Sequence, residues 1–252
     1  MIENPLVSII TVVFNGEKHL EQTIQSVINQ TYKNIEYIII DGNSKDGTVN
    51  IIKKYEKHIN YWVSEPDKGL YDAMNKGIIK ANGKLIGMIN SDDWYELDAV
   101  ELIVNTFKKN PTKTIIHGSR YDVYTNGVKR EYKFNSSVFK FKYFSMTYSH
   151  PSMFVTKQEY QKHSYNTSLK SYSDYQFILE AFLDNRNNII YMPKPIVNFR
   201  LGGVSGQLKF KEELKEAFIA RKMAGMNIFE NVLAMIIKVI LKPILLLKHT
   251  IT

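Results

Sequence analysis

The sequence predicts an α/β fold: an open, mostly parallel central sheet with flanking helices, followed by a helical C-terminal extension. In the first half, short β-rich runs alternate with stretches whose apolar residues recur at helical spacing, as βαβ units require. Each β-rich run ends in a cluster of polar residues, and in a parallel sheet these ends share one edge. The last part of the chain has a helical pattern and is rich in Leu and Ile.

The first half contains four predicted strands and four predicted helices. The first strand, Val7–Val13, is almost continuously apolar, as expected for a strand covered on both faces. The helix after it places Leu20, Ile24 and Val27 on one side. The other strands are predicted at residues 35–40, 61–64 and 84–89, and the other helices at residues 47–57, 70–81 and 97–108.

The second half has a less regular pattern. Residues 114–117 are β-rich, and residues 121–134 form a predicted hairpin closed by Asn126-Gly127, a dipeptide typical of hairpin turns. Residues 139–148 are aromatic-rich and fit neither pattern. Further helices are predicted at residues 157–163, 173–183 and 207–226. Because no repeat or long linker interrupts the chain, we interpret residues 1–227 as one domain and residues 228–252 as a C-terminal helix.

The composition sets outer limits on the function. With 252 residues, 44% hydrophobic and 23% charged, the chain is neither disordered nor wholly embedded in a membrane. It contains no cysteine, which excludes disulfides and thiolate metal sites and indicates a reducing compartment. The N-terminus lacks the basic segment of a signal peptide and is interpreted as the first strand, so a cytoplasmic location is expected.

The net charge of +8 fits nucleic acid, an anionic membrane surface or phosphorylated substrates as partners. From Leu208 to the end there are eight Lys and Arg against four Asp and Glu, so this part supplies half of the excess. These basic residues alternate with Leu and Ile, and the chain has no nucleic-acid-binding motif. We therefore expect no nucleic-acid partner, and the pattern favours lipid.

Polar residues follow each of the four predicted strands of the first half. A crevice outside the carboxyl ends of the strands is where open parallel sheets bind ligands. Because four successive strand ends carry amides or carboxylates, we predict that they converge on one binding site. The clusters are Phe14-Asn15, Asp41-Gly42-Asn43-Ser44, Glu65-Pro66-Asp67 and Ser91-Asp92-Asp93.

The adjacent carboxylates Asp92 and Asp93 at the end of a buried strand indicate a divalent cation, because they would otherwise repel each other. Hard oxygen ligands suit Mn²⁺ or Mg²⁺, and the same ion can neutralise a phosphate. The alternative is a solvated turn, since Ser-Asp-Asp is also common turn chemistry. Neither GxGxxG nor GxxxxGK[ST] occurs, so a glycine-rich phosphate loop is excluded.

Four segments in this order carry a resemblance to a known family: VSIITVVFNGEKHLEQTIQSVINQTY, IEYIIIDGNSKDGT, EPDKGLYDAMNKGI and ANGKLIGMINSDDWY. They resemble the inverting family 2 glycosyltransferases of the GT-A fold, in particular those of bacterial polysaccharide biosynthesis. The resemblance is specific over residues 5–94 and weaker at residues 150–154, 173–177 and 198–205. It implies an enzyme with a GT-A-like sheet that uses a nucleotide-diphosphate sugar and Mn²⁺ or Mg²⁺.

The resemblance also implies roles for individual residues. Residues 11–15 would line the nucleoside pocket, with Phe14 beside the base, and Asp41 would hydrogen-bond that base, expected to be uracil. Asp93 would bind the metal, with Asp92 nearer the donor sugar or ribose. Asp174 falls at the position of the general base. The further residues expected at the donor are Thr11, Asn15, Asp72 and Arg200, and His150 is expected at the acceptor.

Each of these roles has a structural alternative. Asp41 fits a tight turn, Asp72 a charge in the first turn of its helix, and Asp174 an N-terminal helix residue capped by Ser173. His150 fits a packed aromatic cluster. Arg200 fits a surface position, although the glycines at 202 and 203 fit a loop that closes over a diphosphate.

The implied reaction is a single displacement at the anomeric carbon, in which Asp174 takes the proton of an acceptor hydroxyl. The acceptor would be a glycan or a lipid-linked molecule. A second function class stays open: a sugar-nucleotide-binding or partner-binding relative that has lost turnover and is attached to the membrane. Metal-dependent donor hydrolysis discriminates between the two. The sequence does not indicate the oligomeric state.

The C-terminal segment at residues 228–248 is apolar on almost all sides. Its polar or small residues Glu230, Ala234, Lys238 and Lys242 form one narrow stripe, and its longest charge-free run has seven residues, residues 231–237. That run is well short of the ~20 residues that span a bilayer. We expect a peripheral helix on the inner face of a membrane, with its lysines directed at anionic head groups. The alternative is a helix docked on the body of the protein or on a second subunit.

Overall fold

A computed structural model describes residues 4–202 and 208–249, with side chains given as far as Lys242. One mixed sheet runs through the molecule and contains every strand of these residues. The strands are β1 Val7–Val13, β2 Ile35–Asp41, β3 Tyr61–Ser64, β4 Leu85–Asn90, β5 Trp94–Tyr95, β6 Ile115–Val123, β7 Lys129–Tyr132, β8 Met153–Thr156 and β9 Ile189–Arg200. The helices are α1 Leu20–Ile28, α2 Thr48–Lys54, α3 Leu70–Lys80, α4 Ala99–Lys109, α5 Val138–Tyr143, α6 Lys157–Lys162, α7 Ser173–Asn185, α8 Phe210–Met223 and α9 Ile228–His249.

The strand order is β3-β2-β1-β4-β8-β6-β9-β5, with β7 paired to β6. Strands β3, β2, β1 and β4 are parallel, as the alternation of strands and helices predicts. Strand β8 joins β4 and β6 in antiparallel pairing, and β6 is parallel to β9. The α/β fold with flanking helices and a helical C-terminal region is therefore confirmed.

The sheet separates two apolar cores because side chains alternate between its faces. Ile10 and Val12 of β1 point into one core, with residues of α3, α5, α7 and α8. Ile9 and Val13 point into the other, with residues of α1, α2 and α4. Strand β1 is buried at all seven positions, which explains why its sequence is apolar throughout and does not alternate.

Three strands, β5, β8 and β9, were not predicted from the sequence. Strands β5 and β8 are only two and four residues long. Strand β9 contains Pro193 and Pro195, and proline argues against a central strand because it cannot donate to the ladder. The pairing with β6 shifts register on both sides of Ser119, which is paired with Pro195, so the irregularity lies at this proline. The hairpin closed at Asn126-Gly127 is confirmed by the β6–β7 pairing.

Helix α9 is docked on the body of the protein through contacts with α5 and α8. Its Ala234 is fully buried, and Lys238 is only 2% exposed. Lys238 Nζ lies 2.9 Å from Glu213 Oε1 on α8, and Lys242 pairs with the same carboxylate. The prediction that these lysines face lipid head groups is therefore wrong, because the polar stripe is directed at the protein. No helix among the described residues is long and apolar enough to cross a membrane.

His117 of β6 is buried in an aromatic cage. Its ring centroid lies 4.6 Å from that of Phe134, 4.8 Å from that of Tyr148 and 5.1 Å from that of Tyr191. Burial disfavours the charged imidazolium and lowers the pKa of His117 from 6.5 to about 3. The histidine is thus neutral in the folded state at neutral pH.

The caged histidine predicts a pH dependence of stability. Because its folded pKa is below its unfolded value, the unfolded state binds more protons below pH 6.5, and stability is lost as the pH falls. Between neutral pH and about pH 5, the free energy of unfolding should fall by about 2 kcal/mol more in the wild type than in His117→Phe. Denaturant unfolding of both proteins at the two pH values measures this difference. Equal losses would show that His117 titrates normally.

Candidate active site

The carboxyl ends of β1, β2, β3 and β4 lie side by side. Val13 is paired with Asp41, Asp41 with Ser64, and Val12 with Asn90. The polar clusters that follow these strands therefore emerge at one edge of the sheet, as the sequence predicts.

The loop after β1 forms one wall of this edge. The Phe14 side chain is 63% exposed, which leaves its ring free to stack on a ligand. Asn15 has a positive φ of 50°, and its backbone N–H donates to Ser44 Oγ at 2.7 Å. Its side-chain Oδ1 accepts from the Lys45 N–H at 2.9 Å, so Asn15 ties the first loop to the second. Its predicted contact with the donor stays a prediction.

Gly42 allows two side chains to meet at this wall. A Cβ atom at position 42 would lie 2.5 Å from Asp67 Oδ2 and 3.4 Å from Phe14 Cδ2. The loops after β1, β2 and β3 thus come together at Gly42, where a larger residue would displace the Asp67 carboxylate. Asp67 was predicted only as a member of the polar cluster after the third strand, and the sequence assigned it no individual role.

Asp41 and Thr11 lie beneath this edge, both with 0% exposure. Asp41 Oδ2 accepts from the Ser44 N–H at 3.1 Å and from the Ser64 hydroxyl at 2.5 Å, and Oδ1 accepts from the Ser44 hydroxyl. Thr11 Oγ1 is hydrogen-bonded to the Tyr37 hydroxyl at 3.0 Å. In this structure Asp41 supports the loop after β2, which matches its turn alternative, and Thr11 joins β1 to β2. A direct contact with the base stays a prediction.

Asp93 is buried at the end of β4 and is 1% exposed. Its Oδ1 accepts from the backbone N–H of Arg200 at 2.9 Å, and its Oδ2 accepts from Asn90 Nδ2 at 2.9 Å. Burial and the nearby charge of Asp92 raise the pKa of Asp93 to about 7. Asp93 thus connects the ends of β4 and β9 from below the surface.

Asp92 is partly exposed and is the more accessible carboxylate of the pair. The assignment of Asp93 as the principal metal ligand and Asp92 as a secondary residue stays a prediction, although Asp92 is the carboxylate that solvent reaches more easily. The pair nevertheless fits a divalent cation, because Asp92 offers accessible oxygens and its charge opposes ionisation of Asp93. No group of three or more His, Asp or Glu residues able to hold a metal exists within residues 4–202 and 208–249. A cation there would need further ligands from water or substrate phosphates.

Arg200 ends β9 against the same loop. Its Nε donates to the Asp92 main-chain oxygen at 3.2 Å, and its Nη2 donates to Gln22 Oε1 at 3.0 Å. Its guanidinium carbon lies 5.0 Å from the Trp94 ring centroid. Burial, and then the charge of Arg200, lower the pKa of the neighbouring His19. Arg200 is therefore not a detached surface residue, and the loop expected at residues 202–205 lies outside the described residues from position 203 onward.

Asp174 stands in the first turn of α7 beside an aromatic group that the sequence did not reveal. Its Oδ1 accepts from the Tyr71 hydroxyl at 3.1 Å and from the Tyr175 N–H at 2.8 Å. Tyr71 stacks on Tyr165 with centroids 5.6 Å apart, and the Tyr165 hydroxyl lies 2.7 Å from His150 Nε2. The two tyrosines thus bring Asp174 and His150, far apart in sequence, into one cluster.

The His150 ring packs edge-on against the Tyr165 ring with centroids 5.7 Å apart, which fits its structural alternative, and its role at the acceptor stays a prediction. Burial lowers its pKa, although the charge of Asp174 opposes this effect. Ser173 does not cap α7, because its Oγ accepts from the Asn166 N–H at 2.5 Å.

Asp72 directs its carboxylate at the loop before α3. Its Oδ2 accepts from the Lys68 N–H at 3.0 Å and lies 3.8 Å from Lys76 Nζ. Asp72 therefore stabilises the first turn of its helix, as the dipole alternative proposes. Its role at the donor stays a prediction.

Comparison with known proteins identifies the family. The model of glycosyl transferase family 2 matches residues 8–166, which is more than half of the chain. The chain belongs to this family. An uncharacterised glycosyltransferase of Haemophilus influenzae is 28% identical over 222 residues, which cover 83% of this chain and 85% of the relative. A second, from Mycobacterium tuberculosis, is 46% identical over 94 residues, or 37% of this chain and 36% of that protein's length.

Solved structures confirm the GT-A fold. Staphylococcus aureus TarS 1-349, crystallised with UDP-GlcNAc, has a TM-score of 0.69 at 18% identity and aligns with 90% of this chain and 69% of that one. The mannosyltransferase PcManGT of Pyrobaculum calidifontis, in complex with GDP-Man and Mn²⁺, has a TM-score of 0.66 at 13% identity. Its alignment covers 92% of this chain and 69% of that one. At this identity the likeness shows the fold alone.

The different burial of Asp92 and Asp93 predicts different phenotypes. Asp93→Ala leaves the Arg200 N–H and Asn90 Nδ2 without their acceptor and should lower the free energy of unfolding by about 2–4 kcal/mol. Asp92→Ala should leave that energy within about 0.5 kcal/mol of wild type but abolish Mn²⁺ binding. Urea unfolding and electron paramagnetic resonance of free Mn²⁺ measure the two effects. If Asp93→Ala keeps its stability but loses Mn²⁺ binding, and Asp92→Ala still binds Mn²⁺, then Asp93 is the metal ligand.

Proposed function

We propose that this chain is an inverting glycosyltransferase. It would transfer a sugar from a nucleotide-diphosphate donor, with UDP as the expected nucleotide, to a hydroxyl of a glycan or a lipid-linked acceptor. The observation that carries the proposal is the accessible Asp92 next to the buried Asp93 and Arg200 at the edge where four strands end. Membership of family 2 supports it, as do folds shared with proteins crystallised with UDP-GlcNAc or GDP-Man.

The donor would lie along the carboxyl edge of the sheet. The exposed ring of Phe14 offers a stacking surface for the base, and Arg200 offers positive charge near the diphosphate. When bound at Asp92, Mn²⁺ or Mg²⁺ would supply charge neutralisation to the leaving diphosphate. Asp93 and Asn90 would hold the Asp92 loop in position from below.

Asp174 would act as the general base. Tyr71 and the Tyr175 N–H hold its Oδ1, which leaves Oδ2 to accept the acceptor's proton. As that proton moves to Asp174, the acceptor oxygen forms a bond to the anomeric carbon. The bond from that carbon to the diphosphate oxygen breaks, and the nucleotide diphosphate leaves with the electron pair. Attack from the opposite face inverts the anomeric configuration, and no covalent intermediate forms.

We further propose a cytoplasmic enzyme that works at the inner surface of a membrane. The support is the apolar outer face of α9, on which Phe229 is 84% and Ile240 56% exposed. A lipid-linked acceptor would be presented at such a surface.

A donor screen tests the activity directly. The full chain is incubated with UDP- and GDP-sugars, with Mn²⁺, Mg²⁺ or EDTA, and the released nucleotide is measured. Cation-dependent release from one donor supports the proposal. A chain that binds a sugar nucleotide but releases no nucleotide from any donor is a non-catalytic relative.

Asp174→Asn should lower transfer by a factor on the order of 10²–10⁴ without weakening donor binding, because the amide keeps the shape and loses the basicity. Asp184→Asn is the matched control on the same helix. Its carboxylate is 64% exposed and lies 3.1 Å from His163, away from the Tyr71 cluster. Initial rates and donor titrations of both variants separate the effects. Wild-type transfer by Asp174→Asn would place the base elsewhere.

A further inference from the structure

Helix α9 has an outer face that nothing in the described protein covers. Along it, apolar residues recur at intervals of three and four, so they form one stripe. A stripe of this kind on a monomer marks an interaction surface. The exposed fractions are Phe229 84%, Val232 46%, Leu233 48%, Ile236 51%, Val239 46% and Ile240 56%.

The inner face fixes the direction in which this stripe points. Lys238 Nζ lies 2.9 Å from Glu213 and 2.7 Å from the Tyr172 hydroxyl. Asn231 Nδ2 donates to the Phe218 main-chain oxygen at 2.9 Å. Turning the helix to hide the apolar stripe would leave Glu213 unpaired in a partly buried position. The stripe is thus held outward by polar contacts on the opposite side.

Helix α5 extends this surface beyond α9. The Tyr143 hydroxyl donates to Glu230 at 2.9 Å, and the Phe139 ring lies 5.3 Å from the Tyr143 ring. Phe139 is 55% exposed and Val138 40%. These two side chains therefore lie near the first turn of α9, where Phe229 projects. Two helices far apart in sequence contribute to one apolar surface.

The charges around this surface favour one occupant. Helix α5 and residues 228–242 of α9 carry four lysines against one glutamate. Lys238 and Lys242 share the single carboxylate of Glu213, which leaves one positive charge uncompensated. A second copy facing the same surface would bring like charges together, whereas an anionic lipid surface would be attracted.

We propose that the outer face of α9, together with Val138 and Phe139 of α5, is a preformed docking surface for an anionic lipid bilayer. This inference deepens the proposed function and rests on it for the lipid-linked acceptor, while the docking itself needs no sugar. The apolar side chains enter the interface, and the net positive charge of α5 and α9 adds a long-range attraction to the anionic surface.

Vesicle co-sedimentation of the full chain tests the surface. The probes are phosphatidylcholine vesicles, alone and with about one third phosphatidylglycerol. The test variant is Phe229→Ser with Ile236→Ser. The matched control is Ile79→Ser with Leu97→Ser, which makes the same kind of change at side chains that are 78% and 60% exposed elsewhere.

Wild type and control should bind the anionic vesicles equally, and the test variant should bind at least about tenfold more weakly. Phe139→Ser should weaken binding by about threefold, which only a surface that includes α5 explains. Circular dichroism and the thermal midpoint confirm that each variant is folded. Equal binding by test and control variants, or no vesicle binding by wild type, overturns the proposal.

Sedimentation equilibrium without lipid tests the alternative that a second copy of the chain covers the apolar stripe. A wild-type dimer that the test variant dissociates would show that a second copy covers the stripe, and it would overturn the lipid assignment. Nucleotide release from the donor, measured without vesicles, should be the same in all variants. Release without vesicle binding therefore contradicts only the docking surface, and vesicle binding without release contradicts only the proposed activity.

Discussion

The buried carboxylate of Asp93 is the contact on which the arrangement of this site depends. It accepts hydrogen bonds from the Asn90 side chain at the end of β4 and from the Arg200 backbone at the end of β9. These two strands come from different halves of the chain and do not pair with each other. This carboxylate, 1% exposed, therefore helps to fix the distance between the accessible Asp92 and the Arg200 guanidinium at the end of β9, whose Nε also donates to the Asp92 main-chain oxygen. Burial and the charge of Asp92 both oppose the ionisation of Asp93 and raise its pKa, so holding a charged carboxylate at this position costs free energy.

The apolar core on one face of the sheet positions the proposed donor site, and the core on the other face positions the proposed general base. One core anchors α1, whose Thr23 hydroxyl donates to the main-chain oxygen of Asp93 at 2.6 Å and so braces the donor loop. The other core holds α3 and α7, which bring Tyr71 to Asp174. The proposed donor site thus depends on strand ends, whereas the proposed base depends on packing between two helices. This difference explains why the donor edge has a clear signature in the sequence and the surroundings of Asp174 do not.

Particular residues explain which strands and which residue roles could be predicted from the sequence. The parallel strands β1, β2 and β4 were predictable because most of their residues are buried on both faces, and burial leaves a continuous apolar pattern. Strand β9 was not, because Pro195 lies at a bulge that only the pairing with β6 reveals. The sequence did not show that Asp93 is buried and Asp92 partly exposed, since adjacency does not show which side chain is directed inward. The lysines of α9 were assigned to lipid because a narrow polar stripe has the same pattern whether it meets head groups or Glu213.

A crystal structure of the full chain with UDP and Mn²⁺ tests the central claim most directly. The claim is that the strand-end edge binds the donor, with Asp92 as the accessible metal ligand above a buried Asp93. The account predicts anomalous density for Mn²⁺ next to the Asp92 carboxylate and the diphosphate, with Asp93 still bonded to Asn90 and the Arg200 backbone. Manganese on Asp93 with Asp92 turned away, or a nucleotide bound away from the ends of β1, β2 and β4, would contradict it.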